Sequence, residues 1–209
     1  MKKGSFMIIL GLLLFAAALC LTFYNLADDN RAGAETAQVL EQLTPQIQED
    51  PVPVPDELAV LESPEEVEYP DYVLNPVMEM PVKEIDGVNY IGVVSFPTLN
   101  KEFPVTSEWS YDLLRTSPCR FKGSVYTDDM VIFAHNYQSH FGFLKDLSYD
   151  DPVVFTDVDG NVFTYKVFET ETLYPTEEKQ MVTGDWDLTL FTCTIGGATR
   201  VTVRCKIAE

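Results

Sequence analysis

Hydrophobic positions along the chain form one long run near the start and many short runs after residue 90. The long run, Gly4 to Asn25, carries no charged residue and is rich in Leu, Ile, Phe and Ala. A helix needs about twenty apolar residues to cross a bilayer. Lysines before the run and aspartates after it favour a cytoplasmic N-terminus. We therefore predict a signal anchor over residues 1–26, single-pass in the cell membrane, with the remainder extracellular.

Two other kinds of targeting segment fit this N-terminal run less well. A cleaved signal peptide usually has a shorter apolar region and an Ala-x-Ala site, and no such site precedes Asp28. A lipoprotein signal could use Cys20, but Leu19 stands where a small residue is expected and apolar residues continue beyond the cysteine.

Residues 27–89 are acidic and become rich in proline after a weakly helical beginning. Sixteen of the 33 acidic residues lie between Ala27 and Tyr90, against only two basic ones. Such a segment cannot bury enough apolar surface to offset the entropy lost on ordering, and its prolines favour an extended chain. We predict an extracellular linker over 27–89 that holds the following domain away from the anionic envelope.

The short apolar runs of residues 90–209 predict an all-β domain. Asp159-Gly160 lies between two runs with strand character and is a strong hairpin signal. The predicted strands cover 90–95, 102–106, 130–135, 153–158, 162–171, 187–193 and 200–207, with short helices at 108–115 and 141–147. Strands at this spacing with little helix indicate a compact β-barrel or sandwich.

Charge and cysteine content exclude several functions. The net charge of -19 comes mainly from the predicted linker, and nothing in the chain resembles a basic surface, so nucleic acid is excluded as a partner. Three of the four cysteines lie outside the membrane run, so at least one is free or pairs with another chain. With no C-x-x-C motif and two histidines, the chain lacks the pattern of a zinc site.

Candidate chemistry lies where predicted strands end. Cys193 closes an apolar strand beside Gly196-Gly197, and Arg200 opens the next strand, which brings a thiol and a guanidinium to one rim. A nucleophilic thiol needs a base nearby, and His135, after a buried strand, is the better placed of the two histidines. The guanidinium could stabilise an oxyanion. Arg204, on the same face four residues later, is the rival of Arg200.

Two motifs carry a resemblance to the sortase family. Residues 189–193, TLFTC, resemble the sortase T-L-x-T-C motif, and Arg200 follows where the catalytic arginine of that family lies. Residues 131–136, VIFAHN, resemble the strand that ends in the family's histidine, and Phe141-Gly142-Phe143-Leu144 resembles a helix found in several sortase classes. The resemblance covers Tyr90 to Ile207.

This resemblance implies a closed eight-stranded sortase-type barrel over 90–209 and a cysteine transpeptidase that uses no cofactor or metal. Cys193 would attack the C-terminal sorting signal of an exported protein to form a thioester, His135 would transfer protons, and Arg200 would hold the substrate and the oxyanion. The acceptor would be an amine of a peptidoglycan precursor or a pilin lysine. The further residues expected to bind or support the substrate are Thr189, Leu190, Thr192, Asn136 and His140.

Several alternatives stay open on the sequence. Cys119 and Cys205 could form a disulfide and leave Cys193 as the free thiol. An L,D-transpeptidase or a non-catalytic binding module tethered to the envelope are the rival functions. The class is also open: residues 173–186 are short for a class B helical insertion, and no D-P-W or D-P-F lid precedes the domain, which weakens a pilus-polymerising interpretation.

Overall fold

A computed structural model describes residues 3–47 and 69–208, in three α-helices and nine strands. The helices are α1 (Lys3–Leu43), α2 (Asp71–Leu74) and α3 (Glu178–Val182). The strands are β1 (Lys83–Ile85), β2 (Val88–Phe96), β3 (Lys101–Thr106), β4 (Cys119–Lys122), β5 (Met130–Ala134), β6 (Pro152–Asp157), β7 (Val162–Leu173), β8 (Leu188–Cys193) and β9 (Arg200–Ile207). The proline-rich part of the predicted linker, 48–68, lies outside the described residues.

Eight of the strands close into a barrel, which confirms the predicted fold class. Their order is β2-β3-β4-β5-β8-β9-β7-β6, and β6 pairs with β2 to close the circle, while β1 forms a hairpin on β2. The β5–β8 pair is parallel and the β8–β9 pair is antiparallel. These two pairs matter most for the site, because they place the C-terminal ends of β5 and β8 beside the beginning of β9.

Alternation along β5 and β8 divides the side chains between the barrel interior and an outer face. Ile132 and Leu190 are fully buried in the main core inside the barrel. Val131 and Phe191 belong to a separate apolar cluster on the outside, together with Met181. Successive residues of a strand point to opposite faces, so these strands are covered on both sides, which accounts for their nearly continuous apolar sequences.

Helix α1 has two parts with different surroundings. Its first part, around Phe6–Tyr24, exposes its apolar side chains, and among the described residues α1 is the one helix long and apolar enough to cross a bilayer, a property shared by signal sequences. Its last part packs on the barrel: Ala32 and Leu43 are fully buried, and Leu43 joins an apolar cluster with Tyr90.

The described structure differs from the predicted boundaries at several places. Residues 27–43 are helical and packed rather than part of a linker, because the weak apolar periodicity of this stretch meets an apolar patch on the barrel. Strands β1 and β4 had no clear sequence signal, since both are only three or four residues long. The predicted helices shorten to 3₁₀ turns, Leu113–Arg115 and Phe141–Asp146.

The two candidate disulfide cysteines do not pair. Cys119 and Cys205 are both free and buried. Their strands, β4 and β9, are separated by β5 and β8, which corresponds to three strand spacings of about 4.8 Å. The register also places Cys119 level with Phe133, Phe191 and then Thr202, three residues away from Cys205. A disulfide joins Cα atoms no more than about 7 Å apart.

Candidate active site

Three strand ends bring Cys193, His135 and Arg200 together. Cys193 is the last residue of β8 and lies directly opposite Arg200, the first residue of β9. In the parallel β5–β8 pair Ala134 lies opposite Thr192, so His135 follows at the level of Cys193 on the other side. The parallel pairing of β5 and β8, which sequence alone did not show, therefore places a histidine and an arginine on either side of the thiol.

Cys193 opens onto a groove on the outer face of the barrel. Its floor is made by Phe133 and Phe191, whose rings stack with centroids 4.3 Å apart and planes inclined by 3°. Cys193 borders two cavities of this groove, one of about 400 Å³ with His135 and one of about 300 Å³ with Arg200. The thiol thus lies between the proposed base and the proposed oxyanion donor.

The environment of Cys193 differs from that of the two other barrel cysteines. Cys193 is half-buried, whereas Cys119 and Cys205 are fully buried. Burial raises the pKa of the Cys119 thiol to about 11 and raises that of Cys205 further still. The thiolate is the nucleophilic form, so burial disfavours reaction at Cys119 and Cys205, and Cys193 is the barrel cysteine whose side chain is accessible from the groove.

His135 is half-buried, and its ring stacks on that of Tyr137 with centroids 3.7 Å apart and planes inclined by 18°. Its Nδ1 atom is buried and has no hydrogen-bond partner among the described residues. Desolvation lowers the pKa of His135, although the negative charge of Asp28 partly opposes the effect. The imidazole is therefore neutral at pH 7, as a base must be before it accepts the proton of a thiol.

Arg200 is held at the base of the β8–β9 loop. Its Nη1 donates to the carbonyl oxygens of Gly197 and Thr199, both at 3.0 Å. Within the described residues its other N–H groups bond to no protein atom, so they are available to a substrate carbonyl in the adjoining cavity. Thr194 ties the loop through its backbone N–H, which donates to Thr199 O at 3.0 Å.

Arg204, the alternative to Arg200, is buried and hydrogen-bonded within the protein framework. It is 1% exposed, and its Nε donates to Glu171 Oε1 at 2.8 Å. Its two remaining nitrogens donate to the carbonyl oxygens of Met181 and Gln180 and to Thr189 Oγ1. Arg204 therefore joins β7, β8 and β9 to α3 and does not face the groove.

The five residues predicted to support the site have four different surroundings. Thr192 and Thr189 act within the framework: Thr192 Oγ1 donates to Ala134 O at 2.9 Å and so joins the ends of β8 and β5, and Thr189 accepts from Arg204. Leu190 belongs to the barrel core and does not reach the groove. Of the predicted polar residues, Asn136 lines the cavity that contains His135.

His140, also predicted to support the substrate, lies outside the groove. It is fully buried under α1, and burial lowers its pKa to about 4. Thr36 Oγ1 lies 3.0 Å from His140 Nε2 and donates its own hydrogen to Thr116 O. A hydroxyl has one hydrogen, so Nε2–H of His140 is the donor to Thr36. The imidazole is a neutral packing residue of the helix–barrel interface.

Most of the groove wall carries no signal in the sequence. Trp109, Tyr111 and Phe121 stand around the cavities, and the Trp109 ring lies 5.5 Å from that of Phe121. These side chains come from the loop after β3 and from the short β4. An exposed tryptophan in a polar stretch was the one signal available. The wall is completed by Arg115, Tyr137, Pro175, Glu178 and Met181.

Within 3–47 and 69–208, no cluster of three His, Cys, Asp or Glu residues forms a metal site.

Comparisons with known proteins find similarity to sortases in both sequence and fold. The sortase domain family matches residues 94–208. The crystal structure of sortase C1 from Streptococcus agalactiae has a TM-score of 0.52 and 25% identity, over 60% of this chain and 71% of the other. Sortase C from Streptococcus pneumoniae gives 0.50 and 25%, over 57% and 69%. Sortase C1 of GBS Pilus Island 1 gives 0.51 and 22%, over 57% and 64%, so this chain spans less than two thirds of that protein.

A search of curated proteins found no match. The family match covers more than half of the chain and coincides with the barrel that carries Cys193, His135 and Arg200. The chain belongs to the sortase family.

Proposed function

We propose that this chain is a membrane-anchored cysteine transpeptidase that cleaves a C-terminal sorting signal and transfers the acyl group to an amine. The observation that carries the proposal is the register of the strand ends. Cys193 lies opposite Arg200 on one side and beside His135 on the other, on the open face of the groove. A thiol, a base and an oxyanion donor within one groove are the parts that acyl transfer through a thioester requires.

The reaction begins when the Cys193 thiolate attacks the carbonyl carbon of the scissile peptide bond, with the proton of the thiol on His135. His135 donates that proton to the leaving amine as the C–N bond breaks, which leaves a thioester. The incoming amine then gives a proton to His135 and attacks the thioester, and the C–S bond breaks to regenerate the thiolate. One peptide bond is exchanged for one amide bond.

Arg200 is proposed to stabilise the negative oxygen of each tetrahedral intermediate. Its free N–H groups border the cavity next to the Cys193 sulfur. A guanidinium remains charged at any physiological pH and donates in a fixed planar arrangement. Removal of a single oxyanion donor typically lowers kcat by roughly 10² to 10³.

The groove is open to an extended peptide. Its cavities at Cys193 are lined by residues from Trp109 onward, so no described segment before the barrel occupies them. Aromatic side chains on both the floor and the wall suit an apolar residue of the sorting motif. Two of the solved sortases are described with a pilus island or pilin substrates, so pilin lysine is one acceptor to test beside a cell-wall amine.

The test is intact-mass spectrometry of the full chain in detergent or nanodiscs, in a Cys20→Ser background so that the exposed thiol of α1 does not react. The protein is incubated with a panel of sorting-signal peptides, then with a cell-wall cross-bridge peptide or a lysine peptide. An acyl adduct on Cys193 that the amine removes is the expected result, and Cys193→Ala should give none.

The contradicting outcomes are distinct. A Cys193 that alkylates readily but forms no adduct with any peptide would reject sorting-signal cleavage and leave another thiol reaction to be found. A Cys193 that resists mild alkylation in the folded protein would reject catalysis and favour a binding module.

A further inference from the structure

The last part of α1 contacts the loop that carries the catalytic histidine. The Tyr137 hydroxyl donates to Asp28 Oδ2. Asp29 accepts from the backbone N–H groups of Gln138 and Ser139, at 3.1 and 3.0 Å. Ser139 Oγ donates to the Asp29 carbonyl at 2.9 Å. One turn of the helix therefore fixes three consecutive residues of the loop after β5.

The helix and the loop approach each other closely at Gly33. A Cβ atom built on Gly33 would lie 2.9 Å from the Ser139 Cβ, so the small residue lets the helix approach the loop. One turn further along the helix, buried Thr36 bonds to His140, which ends the same loop. The helix thus contacts the loop over two turns.

The orientation of His135 depends on this loop. A catalytic histidine is usually oriented by a hydrogen bond to the ring nitrogen that does not take part in the chemistry. Here Nδ1 of His135 is buried without a partner among the described residues. The ring instead stacks on Tyr137, 3.7 Å away. Tyr137, in turn, is held by Asp28 through its hydroxyl group.

We propose that Asp28 of α1 is a positioning residue, which orients the imidazole of His135 through its hydrogen bond with Tyr137. The proposal rests on the catalytic role given to His135 above. On this proposal, the segment of α1 that follows the predicted membrane anchor belongs to the active enzyme. A barrel cut free of α1 would retain Cys193, His135 and Arg200 but lose the support of the histidine.

The charges around this contact agree with a firm hydrogen bond. The bond from Tyr137, followed by those from Arg31, holds the pKa of Asp28 below its usual value. Burial works to raise the pKa of Asp29, but the bonds from Ser139 and Gln138 outweigh it and the pKa is lowered. Both carboxylates are therefore ionised when the enzyme works.

The charges that face His135 predict a direction for its titration. Desolvation has the largest effect on the pKa of His135 and lowers it. The carboxylates of Asp28 and Asp29 raise this pKa, and the guanidinium of Arg115 lowers it. His140 is neutral beneath the helix. Removal of the Asp28 charge should therefore lower the pKa of His135.

The experiment is a double-mutant cycle with Asp28→Ala, Tyr137→Phe and the double variant, all in the full chain with Cys20→Ser. Each single change should lower kcat about tenfold or more, since small displacements of a catalytic group are costly, with KM for the peptide within twofold. The double variant should lose no more than either single one, because both remove the same bond. Glu41→Ala, an exposed carboxylate change on the same helix, is the matched control.

A second readout separates this inference from the proposed function. The rate of Cys193 alkylation is measured against pH without any substrate, and His135→Ala should alter the profile. Asp28→Ala and Tyr137→Phe should alter the pH profile of alkylation in the same direction as His135→Ala. Asp28→Asn should retain a higher kcat than Asp28→Ala because its side chain still has an oxygen that can accept a hydrogen bond. Wild-type profiles in both single variants, with an altered one in His135→Ala, would overturn the positioning role. An unaltered profile in His135→Ala would instead reject the catalytic assignment of His135.

Discussion

Replacement of Arg204 by methionine separates the structural arginine from the proposed catalytic one. The change removes the ion pair with Glu171 and three hydrogen bonds from a side chain that is 1% exposed. Breaking a buried pair by removing one partner costs about 3–5 kcal/mol. Glu171 keeps some access to water, at 23% exposure, which places the expected loss near the lower end, about 3 kcal/mol.

The same change at Arg200 should have the opposite consequences. One of its two hydrogen bonds goes to the carbonyl of exposed Gly197, and the other goes to that of half-buried Thr199, which also accepts from the Thr194 N–H, so the stability loss should stay within about 1 kcal/mol. Loss of the oxyanion donor should lower kcat by roughly 100-fold or more.

Thermal unfolding and single-turnover acylation of the full chain, on the two variants in parallel, test this reasoning. One kcal/mol corresponds to about 3–6 °C for a domain of this size, so Arg204→Met should lower Tm by roughly 10–20 °C, and its acylation rate per folded molecule should remain within about tenfold of wild type. An Arg204→Met protein with unchanged Tm and no acylation would refute the assignment. Arg204→Lys should recover little stability, because one ammonium cannot replace four bonds in fixed directions.

Three further predictions follow from the titratable groups. In the folded Cys20→Ser protein, mild iodoacetamide should label Cys193 alone, and unfolding should add Cys119 and Cys205, as mass spectrometry would show; a second label on the native protein would contradict the burial. The free energy of unfolding should fall between pH 6.5 and pH 4, because His140 binds a proton in the unfolded chain but stays neutral in the folded protein, where its pKa is about 4. This difference corresponds to ~3 kcal/mol at most. Denaturant titrations should show a flatter dependence of stability on pH for His140→Gln. Because desolvation lowers the pKa of His135, the acid limb of kcat/KM should lie below pH 6.5, and a limb above pH 7 would show that the environment of the histidine is different.

Strand patterns predicted seven of the eight barrel strands because each of those seven is specified locally, whereas the short β4 left no signal. Alternation or continuous apolar character marked β5 and β8, and Asp159-Gly160 marked the β6–β7 hairpin, where Gly160 adopts a φ of +90°. The positions of Cys193 and Arg200 also followed from local sequence, since a six-residue loop between antiparallel strands must bring its two ends together.

The rest of the site depends on contacts between distant parts of the chain. The groove wall joins Trp109 to Phe121 and Phe133, and ring packing of this kind leaves no periodic pattern in any one segment. Arg204 and Arg200 share a face of β9 and cannot be told apart by spacing, because their difference lies in Glu171 and α3. The sequence favoured His135 as the base but still assigned His140 to substrate support, and that assignment fails because α1 covers His140.

The docking of α1 also changes where the chemistry takes place. A linker over 27–89 would have placed the barrel at a variable distance from the bilayer. Under the proposed anchoring, the uncharged run ends at Asn25, and Asp28 follows only about 5 Å further along the helix. Asp28 bonds to Tyr137, whose ring stacks on His135. Under that proposal, the acyl transfer would occur close to the membrane surface.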